Sequence, residues 1–562
     1  MTKLRITALF LVCFFAASFS HADSVDDLAR DFWAWRASEQ PFSSDDIVRI
    51  DHPVGWVPDW SPQAVARYRQ QLDAFEARWK ILRDATAPIP RQVDYLLVGS
   101  ALSRVRWELY LTRSWERNPT FYVDQTVGAY VHLLLDPSPF TADRTRDILA
   151  TLRSIPVTIG QAEQNLTQPL APFARLAIEQ LDQVGPGLQK SVQELKPLLD
   201  PSRSKGIDQA SQNAVDALQS YRDWLKRGLP TMPSNTAVGR EAYIFFLKNV
   251  ALLPYSPEQI LAMGKQEWAR AVASQTYEEH RNTGAPPLAL FKDQAEEARR
   301  QKEDELSIRR YLEEKDLLTI PPWVPHYQFV PMPAYLAPLS DVTEADDFTS
   351  PSRLHQNSTR YIDPPSPALG YFALTMAKDP RAETVHEGIP GHYLQLALSW
   401  AHPDPIRRHY YDSSANEGLG FYAEEMMLHS GLFDDSPRTR EIIWNFMRLR
   451  ALRVEVDVKL ALGEFSIAQA ADYLHRTVPM DAETANAEAA FFASVPGQAI
   501  SYQIGKLQIY DFLAAAQRQQ RDTFHLRAFH DFLWLNGNVP IALQRWEYLG
   551  GSDDSPHLDR LP

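Results

Sequence analysis

His386-Glu387-Gly388-Ile389-Pro390-Gly391-His392 is the stretch on which the reading of this 562-residue chain turns. Two imidazoles beside a carboxylate are the donor chemistry of a catalytic zinc, which takes three protein ligands, keeps one position for water and uses a nearby carboxylate to accept the water's proton. On an unbroken helix the two histidines of such a site stand four apart and share a face. Here they stand six apart, which turns the second imidazole roughly 120° away from the first by helical periodicity. Both can reach one ion only if the helix deforms between them. Gly388, Pro390 and Gly391 suit that deformation, because proline removes an N–H and clashes with the preceding turn while glycine accepts unusual dihedrals. The expectation is a bulged or broken helix delivering one histidine from each side.

The third ligand should come from another helix. Ala415-Asn416-Glu417-Gly418-Leu419-Gly420-Phe421-Tyr422-Ala423-Glu424-Glu425 supplies one after a short connection, with Glu417 and Glu424 seven apart on one face. Glu417 is assigned to the metal. Glu424 either orients His386 or His392 through the free ring nitrogen or is a solvated helix residue. Farther on, Pro496 to Lys506 opens another helix with Tyr502 near its start. Its phenol could donate a hydrogen bond to a developing oxyanion, or it could be a core tyrosine bonded to the backbone.

Outward from these segments the pattern is helical. Between Ser61 and Leu225 apolar residues recur at three and four positions, as in Ala66, Tyr68, Leu72, Phe75 and Trp79, or Ile178, Leu181, Val184 and Leu188. Breaks fall at Pro88 to Pro90, Pro137 to Pro139, Pro169 to Pro172, Pro230 to Pro233 and Pro286-Pro287, with no long polar linker and no internal repeat. A helix is predicted from Pro257 to about His280. Another, from Leu290 to about Glu314, is so charged that it reads as a solvated face. From Leu317 to Leu339, and again at Leu369 to Thr375, the sequence turns extended and predicts a small sheet. After Asp379-Pro380 the chain is helical again almost to Leu535. The fold class is mainly α, a large multi-helix architecture with one small β-sheet beside the metal-binding helices. Residues 23–287 form an N-terminal helical region and 288–562 a metal-binding region, continuous with each other as one structural unit.

Residues Met1 to Ala22 carry Lys3 and Arg5, an apolar run from Ile6 to Ala17 and Ser20-His21-Ala22, the pattern of a cleaved secretion signal. The apolar run is shorter than the ~20 residues of a spanning helix, so no stable membrane insertion is expected after cleavage. The lone cysteine, Cys13, follows Val12 inside the apolar run, a poor lipidation site, and the mature chain has none. Thiol catalysis and thiolate metal sites are thereby excluded, and stability rests on the core. The formal charge of −14 becomes more negative once Lys3 and Arg5 are removed. That argues against nucleic acid as a partner. The predicted location is exported, in the periplasm.

Taken together, these segments resemble the bacterial domain-of-unknown-function family 885, whose members resemble zinc peptidases with a glutamate third ligand. The resemblance covers most of the mature chain. It is carried by His386, Glu387, Pro390, Gly391, His392, Leu394 and Gln395, then by Glu417, Gly418, Tyr422 and Glu424. The Pro496 to Lys506 stretch is similar to the family's C-terminal signature, which implies a site role for Tyr502. The resemblance implies zinc-dependent peptide-bond hydrolysis, with His386, His392 and Glu417 on Zn2+, Glu387 as general base and Tyr502 at the oxyanion. One departure is Ala461, at a position where many relatives carry histidine, which would bear on activity if that histidine touches substrate.

Two other readings use the same residues. Glu383-Thr384-Val385-His386 has the Glu-x-x-His spacing of di-iron helical bundles, but that architecture needs a second copy and the chain holds none. A catalytically inactive periplasmic peptide-binding relative would follow if the change at Ala461 abolished turnover.

Overall fold

A computed structural model of the chain describes residues 24–39, 51–340 and 346–551. The signal segment lies outside the described residues. No helix among the described residues is long and apolar enough to cross a membrane.

The first half is a stack of amphipathic helices, among them α1 (Ala142–Asn165), α2 (Ala171–Leu195) and α3 (Ile207–Gly228). In α2 the buried stripe runs through Ala174, Ile178, Leu181, Val184, Leu188 and Val192, the three-and-four spacing that puts one face into a core. Helix α4 (Pro257–Arg281) starts at a reciprocal cap between Ser256 and Gln259 and packs along the later helix α8 (Pro437–Leu462), where Gly264 lets the two come close at Val454. The packing therefore runs straight across the boundary drawn near residue 287.

Helix α5 (Gln294–Glu314) corrects the sequence reading. One face is buried, with Glu297, Gln301, Asp304 and Glu305 inside. Gln301 explains much of this: its amide donates to the Tyr327 carbonyl at 3.1 Å and accepts from the Phe329 N–H at 3.0 Å, standing in for a neighbouring strand. The sheet so covered has three strands, β1 (Tyr327–Pro331), β2 (Asp346–Asp347) and β3 (Ser358–Ile362), in the order β1-β3-β2. β1 runs parallel to β3 with Tyr327 opposite Ser358, and β2 is the antiparallel edge. The segment Leu369 to Thr375 is not extended: Tyr371–Met376 is helical, tied down by the Tyr371 N–H on Asp481 and by Asn445 on the Tyr371 hydroxyl.

Beyond the sheet come α6 (His392–Trp400), α7 (Ser413–Ser430), α8, α9 (Ala482–Ser494) and α10 (Gln498–Gln520), and helix continues to Leu549. Among the described residues the molecule is mainly helical with this one small sheet.

Candidate metal centre

The helix entering the motif does break where the spacing requires. Thr384–Gly388 widens into a single π turn, closed by the Ile389 N–H on the Thr384 carbonyl at 2.9 Å. Ile389 is extended, and α6 restarts at His392. The returning chain passes so close that a Cβ on Gly391 would sit 1.7 Å from the His386 carbonyl oxygen, so no side chain fits there. Trp534 pins the loop by donating to the Pro390 carbonyl at 2.7 Å. The outcome is two imidazoles with ring centroids 4.6 Å apart.

Helix α7 brings the third group. Glu417 Oε2 lies 3.0 Å from His392 Nε2 and 3.4 Å from His386 Nε2, and all three side chains are buried. Two ligands on a tetrahedral zinc stand about 3.3 Å apart when each metal–ligand bond is about 2.0–2.1 Å, so both separations from Glu417 match that ion. Glu387 Oε2 lies 3.9 Å from His392 Nε2, and donor atoms of His386, Glu387 and His392 all fall within 4.8 Å of one another. Gly420, one turn after Glu417, supplies the floor: a Cβ there would come within 2.9 Å of His392 Cε1 and 3.3 Å of His386 Cε1.

The neighbours fix the charges. Burial works to raise the Glu417 carboxyl, but His392 and His386 hold it well below the usual carboxylate range. Burial opposes charge on His386, and contact with Glu417 and Glu424 outweighs it and raises the imidazole. Glu387 is pushed well above the usual range by burial, with His386 opposing and Glu383 and Asp346 adding. Glu424 is fully buried, its Oε1 2.6 Å from His386 Nδ1 and 3.3 Å from an Arg450 nitrogen, so it faces His386 and is no solvated residue. Among the described residues His392 Nδ1 has no hydrogen-bond partner, and the 2.6 Å approach of Glu424 to His386 Nδ1 is an ion-pair contact and not an aligned hydrogen bond.

Tyr502 stands on α10 with its ring nearly parallel to that of His386 at 6.3 Å, and the Arg453 guanidinium lies 4.6 Å over its face. The start of α10 is seated by Asp457, which accepts from the Gly497 and Ile500 N–H groups and from the Tyr243 hydroxyl. Gln498, its first residue, donates to Glu417 Oε1 at 3.3 Å. Helices α7 and α10 cross at Gly418 and Gly505, where a Cβ on Gly505 would lie 2.1 Å from the Ser414 carbonyl oxygen. Gln395 holds α6 to α7 by accepting from the Asn416 and Asn538 amides, each at 2.7 Å. His386, Glu387, Glu417 and Tyr502 all line one cavity of about 1610 Å³, walled also by α2 and α9.

The family model described as "Bacterial protein of unknown function (DUF885)" matches residues 50–546. The chain belongs to that family. No curated protein matches it. Among the solved structures that share its fold are two with little sequence identity to it. One is a candidate lipoprotein of unknown function from Shewanella oneidensis, 18% identical, with a TM-score of 0.69 over 94% of this chain and 100% of that one. The other is a candidate lipoprotein from Colwellia psychrerythraea, 18% identical, with a TM-score of 0.72 over 96% and 98%.

Within this DUF885 member, Ala461 does not face the cavity. It packs in an apolar cluster with Val454, Val458, Ile500 and Ile504, and its carbonyl accepts from the Gly239 N–H. The sequence reading missed Arg450 and Arg453, which line the cavity, and Gln498. The arginines had no signal of their own, because α8 carries charges along its whole length, among them Arg440, Glu441, Arg448, Glu455 and Lys459. Gln498 had none either.

Proposed function

We propose that this chain is an exported zinc-dependent hydrolase that cleaves peptides. The observation that carries the reading is the convergence of His386 Nε2 and His392 Nε2 on one Glu417 oxygen, with Glu387 beside them in a large cavity. Zinc held by His386, His392 and Glu417 would polarise the scissile carbonyl and make a water molecule a stronger acid. Glu387 takes the proton of the attacking water and later gives it to the departing nitrogen as the C–N bond breaks, and a carboxyl raised by burial suits both tasks. Tyr502 donates to the carbonyl oxygen as it gains charge. Glu424, held by Arg450, keeps Nδ1 of His386 engaged so that Nε2 faces the centre.

Export is supported by the leader pattern of Met1 to Ala22 and by the two lipoprotein-like structural relatives. The position of Cys13 favours cleavage over lipidation, with the periplasm as destination. Glu383 pairs with Arg360 at 2.9 Å, which weighs against a di-iron site using that carboxylate. The placement of Ala461 in an apolar cluster weighs against an inactive binding relative.

The test joins metal analysis of the purified protein to a peptide-library digest read by mass spectrometry. Stoichiometric zinc and peptide cleavage are expected, and Glu387→Gln should keep the metal and lose turnover. Stoichiometric iron, or full activity in Glu387→Gln, would sink the proposal.

A further inference from the structure

Beside Glu387 the cavity wall is built from α5 and the sheet. Glu297 comes from α5, Asp346 from β2, Arg360 from the middle of β3 and Glu383 from the turn before His386, and all four line the cavity with Glu387. Arg360 lies 2.5 Å from Asp346 Oδ2 and 2.9 Å from Glu383 Oε1, and the Tyr327 hydroxyl donates to Asp346 Oδ1 at 3.1 Å. The guanidinium's short contacts thus go to two of the surrounding carboxylates. Glu297 is 1% exposed, and its Oε2 has no hydrogen-bond partner among the described residues. A buried carboxylate oxygen left without a donor is costly. A cleft wall with more carboxylates than cations concentrates field on a cation that enters it.

We infer that Glu297, with Asp346 and Glu383 gathered round Arg360, is the recognition site for a cationic amine of the substrate. This rests on the peptidase reading and narrows it. The amine is either the peptide's own α-amino terminus, which makes the enzyme trim from that end, or a basic side chain near the cut. Burial pushes the Glu297 carboxyl up to about 7 against the pull of Arg360, and an ammonium seated beside it is the partner that would keep it ionised at neutral pH. The other carboxylates do not offer this opening, since Asp346 and Glu383 already face Arg360.

The experiment titrates the intact protein calorimetrically with hexylamine and hexanol. Alongside, it measures cleavage of tetra-alanine, N-acetyl tetra-alanine and an N-acetylated tetrapeptide with lysine in second place. Hexylamine should bind at least about tenfold more tightly than hexanol, and Glu297→Gln should erase the difference. Preference for free over acetylated tetra-alanine assigns the site to the amino terminus, and recovery by lysine assigns it to a side chain. Equal binding of hexylamine and hexanol by the unaltered protein overturns the amine site whichever peptides are cut. Amine selectivity without cleavage of any peptide keeps the site and overturns the peptidase reading instead.

Discussion

Gly420 sits one helical turn beyond Glu417, directly under both imidazoles. An alanine methyl there meets ring carbons at 2.9 and 3.3 Å, and the rings can yield only by leaving the line to Glu417. Gly420→Ala should therefore weaken metal binding by about 10–100-fold, the range seen when a ligand's supporting contacts are lost. The fold should survive, because the rings and not the backbone give way. Competition titration with a zinc chelator measures the first expectation and thermal melting of the metal-free protein the second. At this scale the sequence was informative wherever chemistry demanded a residue type. Glu417 and Glu424 followed from their spacing on one helix, and the need for a break at Gly388, Pro390 and Gly391 from the six-residue spacing of the histidines. Gly420 and Gln498 were silent, because a contact between helices distant in sequence leaves no periodic trace.

The break between the two histidine-bearing elements was legible because glycine and proline act locally. Helix α5 and the segment at Tyr371 were misread for the opposite reason. The charges of α5 disguised a face whose Gln301 substitutes for a strand, and the aromatic texture of Tyr371 and Phe372 resembled a strand although Asp481 and Asn445 dock it as a helix. Element packing also predicts a pH response. His530 is buried, its Nδ1–H donating to the Leu317 carbonyl at 2.7 Å and its Nε2 accepting from the Tyr422 hydroxyl of α7 at 2.8 Å. Burial lowers this imidazole from 6.5 to about 4. The unfolded chain thus takes up the proton first as pH falls, so the contribution is complete above pH 6.5 and is lost between 6.5 and about 4. It amounts to about 3 kcal/mol. Urea unfolding across that window should show the loss in the unaltered protein, and a smaller one in His530→Gln. Parallel pH curves for the two would contradict the assignment.

Across the whole molecule, Arg407 joins three distant parts of the chain. It reaches Asp94 at 3.2 Å, Glu547 at 2.5 Å and Asn536, all at buried positions or nearly so. Arg407→Leu leaves Glu547 without its cation and Asp94 with only the half-exposed Arg91, 3.1 Å away, which should cost about 3–5 kcal/mol, read as a fall in the urea midpoint. A change under about 1 kcal/mol would show the cluster to be solvated, as exposed pairs are. The mainly helical architecture with one small sheet was legible from periodicity and proline breaks. The Arg407 cluster was not, since nothing local links residues 94, 407 and 547. That clasp and the cavity share a property, for both draw on distant parts of the chain: α2, α5 and the sheet supply walls, the motif supplies the chemistry, and α8, α9 and α10 complete the lining. No amino-terminal fragment can own the cleft. A chain emerging from synthesis, leading end first, consequently has no such cleft until α10 has been made.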